Sequence, residues 1–335
     1  MATSSTPPEW VLACPREALP VLQPLADAHA AHRPVRLLLR DTRAVPPLAD
    51  LLPHLDQAAG LLLVGDHRRA PRTVLPGPFL TTAQGRQVPA GWLPMGRPES
   101  LARFAATATE VQRRAGAAGP LAFVGQWDDH VTRMVARSLS ILRSPTGAAP
   151  LTVFWWTADR LIRRDLLTAL RVGLGAALYF GHGRPYGWAG YHGLHTRHLG
   201  HARGRPTGAV LSLTCHTASR RRVGTSFAES LVLEGLAAGA LGAVSATQTI
   251  DNWWWGASLC EVLSQQPAHL GDLLLRACPP RPNAVAAYRI LGDPLAALQG
   301  APDAHREGLQ VWAPSALESP VPPDYEARLA SLAAT

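Results

Sequence analysis

Two apolar runs in this chain stop at reactive side chains. Leu178-Tyr179-Phe180 leads into Gly181-His182-Gly183, and Leu211-Ser212-Leu213 leads into Thr214-Cys215-His216. A thiol becomes a strong nucleophile once it loses its proton, and a nearby imidazole promotes that loss. The pair therefore points to acyl transfer, with Cys215 attacking and His182 moving the proton. The backbone amides of Gly183 and Cys215 are placed to hold a developing oxyanion, usually a large contribution in such chemistry. The glycines beside His182 let the backbone approach a substrate closely.

Positioning the pair requires two adjacent strands of an open parallel sheet, where functional side chains collect beyond the carboxyl ends. The pattern fits. Apolar runs at 35–39, 60–64, 121–124, 151–155, 176–180, 209–213 and 240–245 read as strands. Amphipathic stretches at 129–142, 158–172, 226–238 and 257–263 read as helices, with Asp129 and Ser226 as N-caps. This alternation predicts an α/β fold, a mostly parallel sheet flanked by helices. A Gly/Ala-rich break at 115–119 suggests a smaller N-terminal α/β subdomain (1–117), a catalytic subdomain (118–300) and a loosely attached Pro-rich tail (301–335). The Pro- and Gly-rich stretch 72–97 reads as an irregular crossing segment.

Composition narrows the class. The chain has 335 residues, 47% hydrophobic and 17% charged, an ordinary globular balance. Its net charge is +8, yet all 32 basic residues are Arg and they are dispersed, apart from Arg220–Arg222. No basic stripe predicts nucleic-acid binding. No apolar run reaches membrane-spanning length, and Met1–Trp10 lacks the features of a signal peptide. The four cysteines, Cys14, Cys215, Cys260 and Cys278, show no CxxC spacing, which suits a reducing cytoplasm. His192, His195, His198 and His201 recur every third residue, but Gly193 and Gly200 argue for a loop, and no metal site is expected there.

The segments "YFGHGRPYGW" (179–188), "LSLTCHTA" (211–218), "SFAESLVLEGLAAGALGAVSAT" (226–247) and "ILGDPLAAL" (290–298) resemble the gingipain-like cysteine peptidases of the caspase-like group. "LLLVGDHRRAP" (61–71) and "VPAGWLPMGRPES" (88–100) extend the resemblance upstream. It implies a caspase-like sandwich that hydrolyses peptide bonds through a thioester. His182 matches the general acid/base, Cys215 the nucleophile and Gly183 the oxyanion-hole glycine. No upstream acid aligns to orient the histidine, so a dyad is expected. His216-Thr217-Ala218 departs from the small residue and glycine that often follow the nucleophile.

The resemblance also implies a specificity site. Asp128 or Asp129 would receive a basic P1 side chain (Arg or Lys), with helix capping by Asp129 as the rival reading. Trp253, Trp254 and Trp255 would supply the aromatic wall. Adjacent residues on a helix lie about 100° apart, so all three cannot face one core. No cofactor is expected, although relatives leave calcium open. The expected partners are a protein or peptide substrate, with a gasdermin-like pore-forming protein suggested by standalone members active in bacterial defence or cell death. The alternative is a caspase-like interaction module with weak catalysis, motivated by the altered residues after Cys215.

Overall fold

The computed structural model describes residues 7–66, 74–114, 118–143, 151–201, 204–277 and 281–318. Its strands are β1 (Glu9–Pro15), β2 (Val35–Arg40), β3 (Ala58–Gly65), β4 (Phe79–Thr81), β5 (Gln87–Pro94), β6 (Leu121–Gly125), β7 (Val153–Thr157), β8 (Ala176–Phe180), β9 (Gly183–Arg184), β10 (Gly187–Trp188), β11 (Leu194–His195), β12 (Thr207–Leu213), β13 (Ala237–Ala243) and β14 (Tyr288–Gly292). One sheet runs β2-β1-β3-β5-β14-β13-β12-β8-β6-β7, with β4 added against β5. Its neighbours pair in parallel except β13 with β14 and β4 with β5.

That single reversal at β14 has a consequence for function. The strands β7, β6, β8, β12 and β13 point one way, and β14, β5, β3, β1 and β2 point the other. The carboxyl ends that carry His182 and Cys215 therefore share a rim to which β1, β2, β3 and β5 contribute only their amino ends. Every residue of β8 and β12 is buried, as expected of parallel strands covered on both faces.

The sheet crosses the 115–119 break without interruption, because β14 bridges β13 and β5. A buried carboxylate ties the same junction. Asp293, in the stretch Gly292-Asp293-Pro294, accepts hydrogen bonds from Trp10 Nε1 (3.3 Å), Gln112 Nε2 (2.8 Å) and the Leu295 amide (3.0 Å), and pairs with His29 Nε2 (2.9 Å). Burial raises its pKa, but His29 and the N–H donors prevail and hold it below the ordinary carboxylate range.

Several elements differ from expectation. The crossing segment contains β4 and β5, the latter almost wholly buried. The helix expected over 226–238 is Phe227–Leu233. Gly235 (φ +69) ends it, and the chain enters β13 at Ala237. The helix expected over 158–172 contracts to Arg163–Ala169. Beyond residue 300 the chain forms the helix Ala304–Glu318. It is anchored by His305 stacked on Phe154 (6.4 Å between centroids) and by Arg205 paired with Glu307 (2.5 Å). Residues 319–335 of the expected tail lie outside the described residues.

Candidate active site

Parallel pairing sets Phe180 opposite Leu213 and Tyr179 opposite Ser212. The pairing ends there, two residues before His182 on one strand and Cys215 on the other, so both residues follow neighbouring strand ends on one rim. Thr214 locks the two strand ends together, its hydroxyl donating to the Gly181 carbonyl at 2.6 Å. His182 is exposed and Cys215 half-buried, so imidazole and thiol share an open rim.

The hairpin formed by β9 and β10 supports His182 from behind. The His182 carbonyl accepts from the Ala189 amide (2.9 Å) and the Tyr179 hydroxyl (3.0 Å). Trp188 stacks on Tyr179 (4.3 Å between centroids) and donates through Nε1 to the Ser212 hydroxyl (3.0 Å). The His182 amide donates to Gln126 Oε1 (3.2 Å), which joins it to the end of β6. Residues 182 and 189 thus share a single ladder bond, and the pairing continues through Gly183 with Trp188 and Arg184 with Gly187. Among the described residues no carboxylate forms an ion pair with the His182 ring.

The sulfur has a second neighbourhood, on the β13 side. The Thr247 amide donates to Cys215 Sγ at 3.3 Å, and the Thr247 hydroxyl lies 3.5 Å from it. Asn252 and Tyr288 continue this contact into the core. Nothing in the sequence singled out these three residues. Thr247 also lines a cavity of about 470 Å³ beside the thiol, where Asp251 pairs with Arg281 (2.8 Å). Burial pushes the Cys14 thiol up to about 11 and the Cys260 thiol up to about 12. Cys215 is thus the one described cysteine that reaches the surface. Cys278 lies outside the described residues.

The residues that follow Cys215 take an unusual course. His216 has φ +62, a left-handed conformation that few side chains adopt, and its buried Nδ1 has no partner. Arg220 turns inward. Its guanidinium grips the buried Glu229 (Nε to each carboxylate oxygen, 3.0 Å) and lies over the Trp92 ring (4.8 Å). Glu229 in turn completes a capping box with Ser226, the N-cap expected from the sequence.

The expected specificity residues separate. Asp128, not Asp129, caps the helix Asp129–Arg143, its carboxylate accepting from the amides of His130 (2.9 Å) and Val131 (3.3 Å). One residue of chain separates the two assignments, and the cap needs the acid just outside the first turn. Both acids are exposed, beside Gln126 and so on the His182 side of the rim. Trp253, Trp254 and Trp255 lie in the helix Thr249–Leu263. Trp255 is buried, donating to the Ala277 carbonyl (3.0 Å) and meeting Tyr288 edge-on, so it belongs to the core and not to a substrate wall. Trp253 is half-buried and Trp254 is 50% exposed. Trp127, overlooked in the sequence, is 76% exposed next to Gln126. His195 and His198 stack on each other and brace the small β9-β10-β11 sheet. Among the described residues no three His, Cys, Asp or Glu side chains converge as metal ligands.

The family model of peptidase family C25 matches residues 131–299, half of the chain and both members of the pair. The chain belongs to peptidase family C25. It is a cysteine peptidase with the caspase-like α/β fold. Among solved structures, the Arg-specific cysteine proteinase gingipain R is 12% identical, with a TM-score of 0.68 over 89% of this chain and 80% of its own. The complex of Porphyromonas gingivalis RgpB pro- and mature domains is also 12% identical, with a TM-score of 0.66 over 86% and 79%. A structure described only as a protease is 13% identical, with a TM-score of 0.65 over 88% and 79%. No curated protein sequence matches. Asp128 and Asp129 and the upstream similarity at 61–71 and 88–100 fall outside the family match. No helix among the described residues is long and apolar enough to cross a membrane.

Proposed function

We propose that the peptidase cleaves internal peptide bonds through a Cys215–His182 dyad, with preference for a basic P1 residue. The observation that supports this reading is the β8–β12 pairing, whose strands end two residues before an exposed His182 and a half-buried Cys215 on one rim. The Cys215 proton passes to His182, and the sulfur attacks the substrate carbonyl carbon. The amides of Gly183 and Cys215 receive the oxyanion. Collapse expels the amine, protonated by His182, and leaves a thioester. Water, deprotonated by His182, then releases the acid and restores the thiol.

Three features support a basic P1 residue. Gingipain R, which shares the fold, is Arg-specific by name. Asp129 is exposed on the His182 side, and its carboxylate makes no capping bond, unlike that of Asp128. Trp127 and Trp254 are exposed, and their faces suit the stem or guanidinium of a long basic side chain. The resemblance to standalone caspase-like peptidases extends the proposal to a gasdermin-like protein as the physiological substrate. Fluorogenic peptides differing only at P1 test the preference. The reading requires Arg or Lys to exceed Ala and Asp by at least about tenfold in kcat/KM, and Asp129→Asn to erase most of that margin. Equal rates across the panel would refute it.

A further inference from the structure

Beyond the dyad, and resting on Cys215 as its nucleophile, we propose that Thr247, oriented by Asn252 and Tyr288, is a second device that holds the Cys215 sulfur in its charged form. The Thr247 amide points at Sγ from 3.3 Å, and its hydroxyl lies 3.5 Å away. Both approach from the β13 side, with His182 on the β8 side.

The Asn252 amide has one orientation in this network. Asn252 Nδ2 lies 3.2 Å from the Leu213 carbonyl and 2.9 Å from Thr247 Oγ1, and Asn252 Oδ1 lies 2.7 Å from the Tyr288 hydroxyl. Flipping the amide would set two oxygens, Asn252 Oδ1 and the Leu213 carbonyl, against each other, so the nitrogen must face Leu213 and Thr247. Tyr288 is buried, and burial raises its pKa, keeping its hydroxyl a donor. Tyr288 then donates to Asn252, and Asn252 donates to Thr247. The Thr247 hydroxyl accepts that bond, and its own hydrogen has two acceptors in reach, the Tyr288 oxygen and Sγ, of which the charged sulfur is the stronger. Two donors thus converge on the sulfur and strengthen when it becomes negative.

The neutral thiol has its own place in the same neighbourhood. Its hydrogen can reach the Thr247 carbonyl, 3.6 Å from Sγ. Once the proton has gone to His182, the thiolate carries only acceptor capacity, which the Thr247 amide and hydroxyl match. Thr247 touches the reacting atom, whereas Asn252 and Tyr288 are positioning residues that act through it.

The test is the rate of Cys215 alkylation by iodoacetamide across pH, with peptide hydrolysis in parallel. Thr247→Val removes the hydroxyl donor and keeps the amide. It should slow alkylation at neutral pH about tenfold and move the profile to higher pH, because hydrogen bonds to a charged group are among the strong ones. Thr247→Ser should retain the wild-type profile, and Tyr288→Phe should shift it in the same direction as Thr247→Val by less. In hydrolysis the loss should fall on kcat, with KM within about twofold. A wild-type alkylation profile for a folded Thr247→Val would overturn the proposal. If Cys215→Ala still cleaved peptide, the dyad reading itself would fail, an outcome distinct from an unshifted profile.

Discussion

A Cβ placed on Gly183 would lie 2.4 Å from the carbonyl oxygen of Cys215 and 2.6 Å from Cγ2 of Thr214. The residue after the candidate base is therefore packed against the backbone of the candidate nucleophile, and only glycine fits. Gly183→Ala should force the two strand ends apart and misplace the amide proposed for the oxyanion. The expected loss in kcat/KM is about 100-fold or more, with a thermal transition that is lowered but still cooperative. Steady-state kinetics and a melting curve on the same preparation separate the two effects.

The three consecutive tryptophans should behave differently. Trp255→Ala removes a buried ring and should cost about 3–5 kcal/mol of stability. Trp254→Ala, at a half-exposed position, should change stability by no more than about 0.5 kcal/mol. Urea unfolding measures both. A larger cost at Trp254 than at Trp255 would contradict the placement of this helix.

Glu229 is fully buried yet accepts from the Ser226 amide (2.7 Å) and from Arg220. Glu229→Ala would leave the inward-facing guanidinium and the cap amide without this partner. Breaking one side of a buried pair typically costs about 3–5 kcal/mol. The loop after Cys215 hangs on this pair, so activity should fall at lower temperature than in the wild type.

Acid should weaken the fold at His269. Its Nδ1 caps the helix Leu270–Arg276 by accepting from the Asp272 amide (3.0 Å), and burial, with Arg33 nearby, pushes its pKa down from 6.5 to about 4. Between those values the unfolded chain binds a proton that the folded chain refuses. Stability is therefore full above about 6.5 and declines as pH falls toward about 4. His269→Asn keeps a capping acceptor that does not titrate, and should flatten this part of a plot of melting temperature against pH.

The sequence made the pair legible because each residue ends a wholly buried apolar run, a pattern that strongly implies a parallel strand and its functional rim. Other features depended on distant contacts. β14 is a five-residue segment whose reversed direction follows from pairing with both β13 and β5, and no local pattern encodes that. β5 begins Gln87-Val88-Pro89, and its prolines and glycine read locally as irregular although its neighbours bury it. Adjacent-residue geometry correctly excluded a common core face for the three tryptophans. It did not show that the helix starts at Thr249, which decides which of them is buried. Thr247, Asn252 and Tyr288 carried no signal, since their significance lies in a network that closes only when the rim and β14 come together.

Cys215 as nucleophile with His182 as its partner is the assignment on which the proposed chemistry rests. Labelling the intact chain with a peptidyl electrophile bearing P1 Arg, followed by peptide mapping, tests it most directly. One adduct is expected, on Cys215, abolished in Cys215→Ala and strongly slowed in His182→Ala, with peptide hydrolysis lost in both variants. Labelling at Cys14, Cys260 or Cys278 instead, or undiminished cleavage by Cys215→Ala, would contradict it.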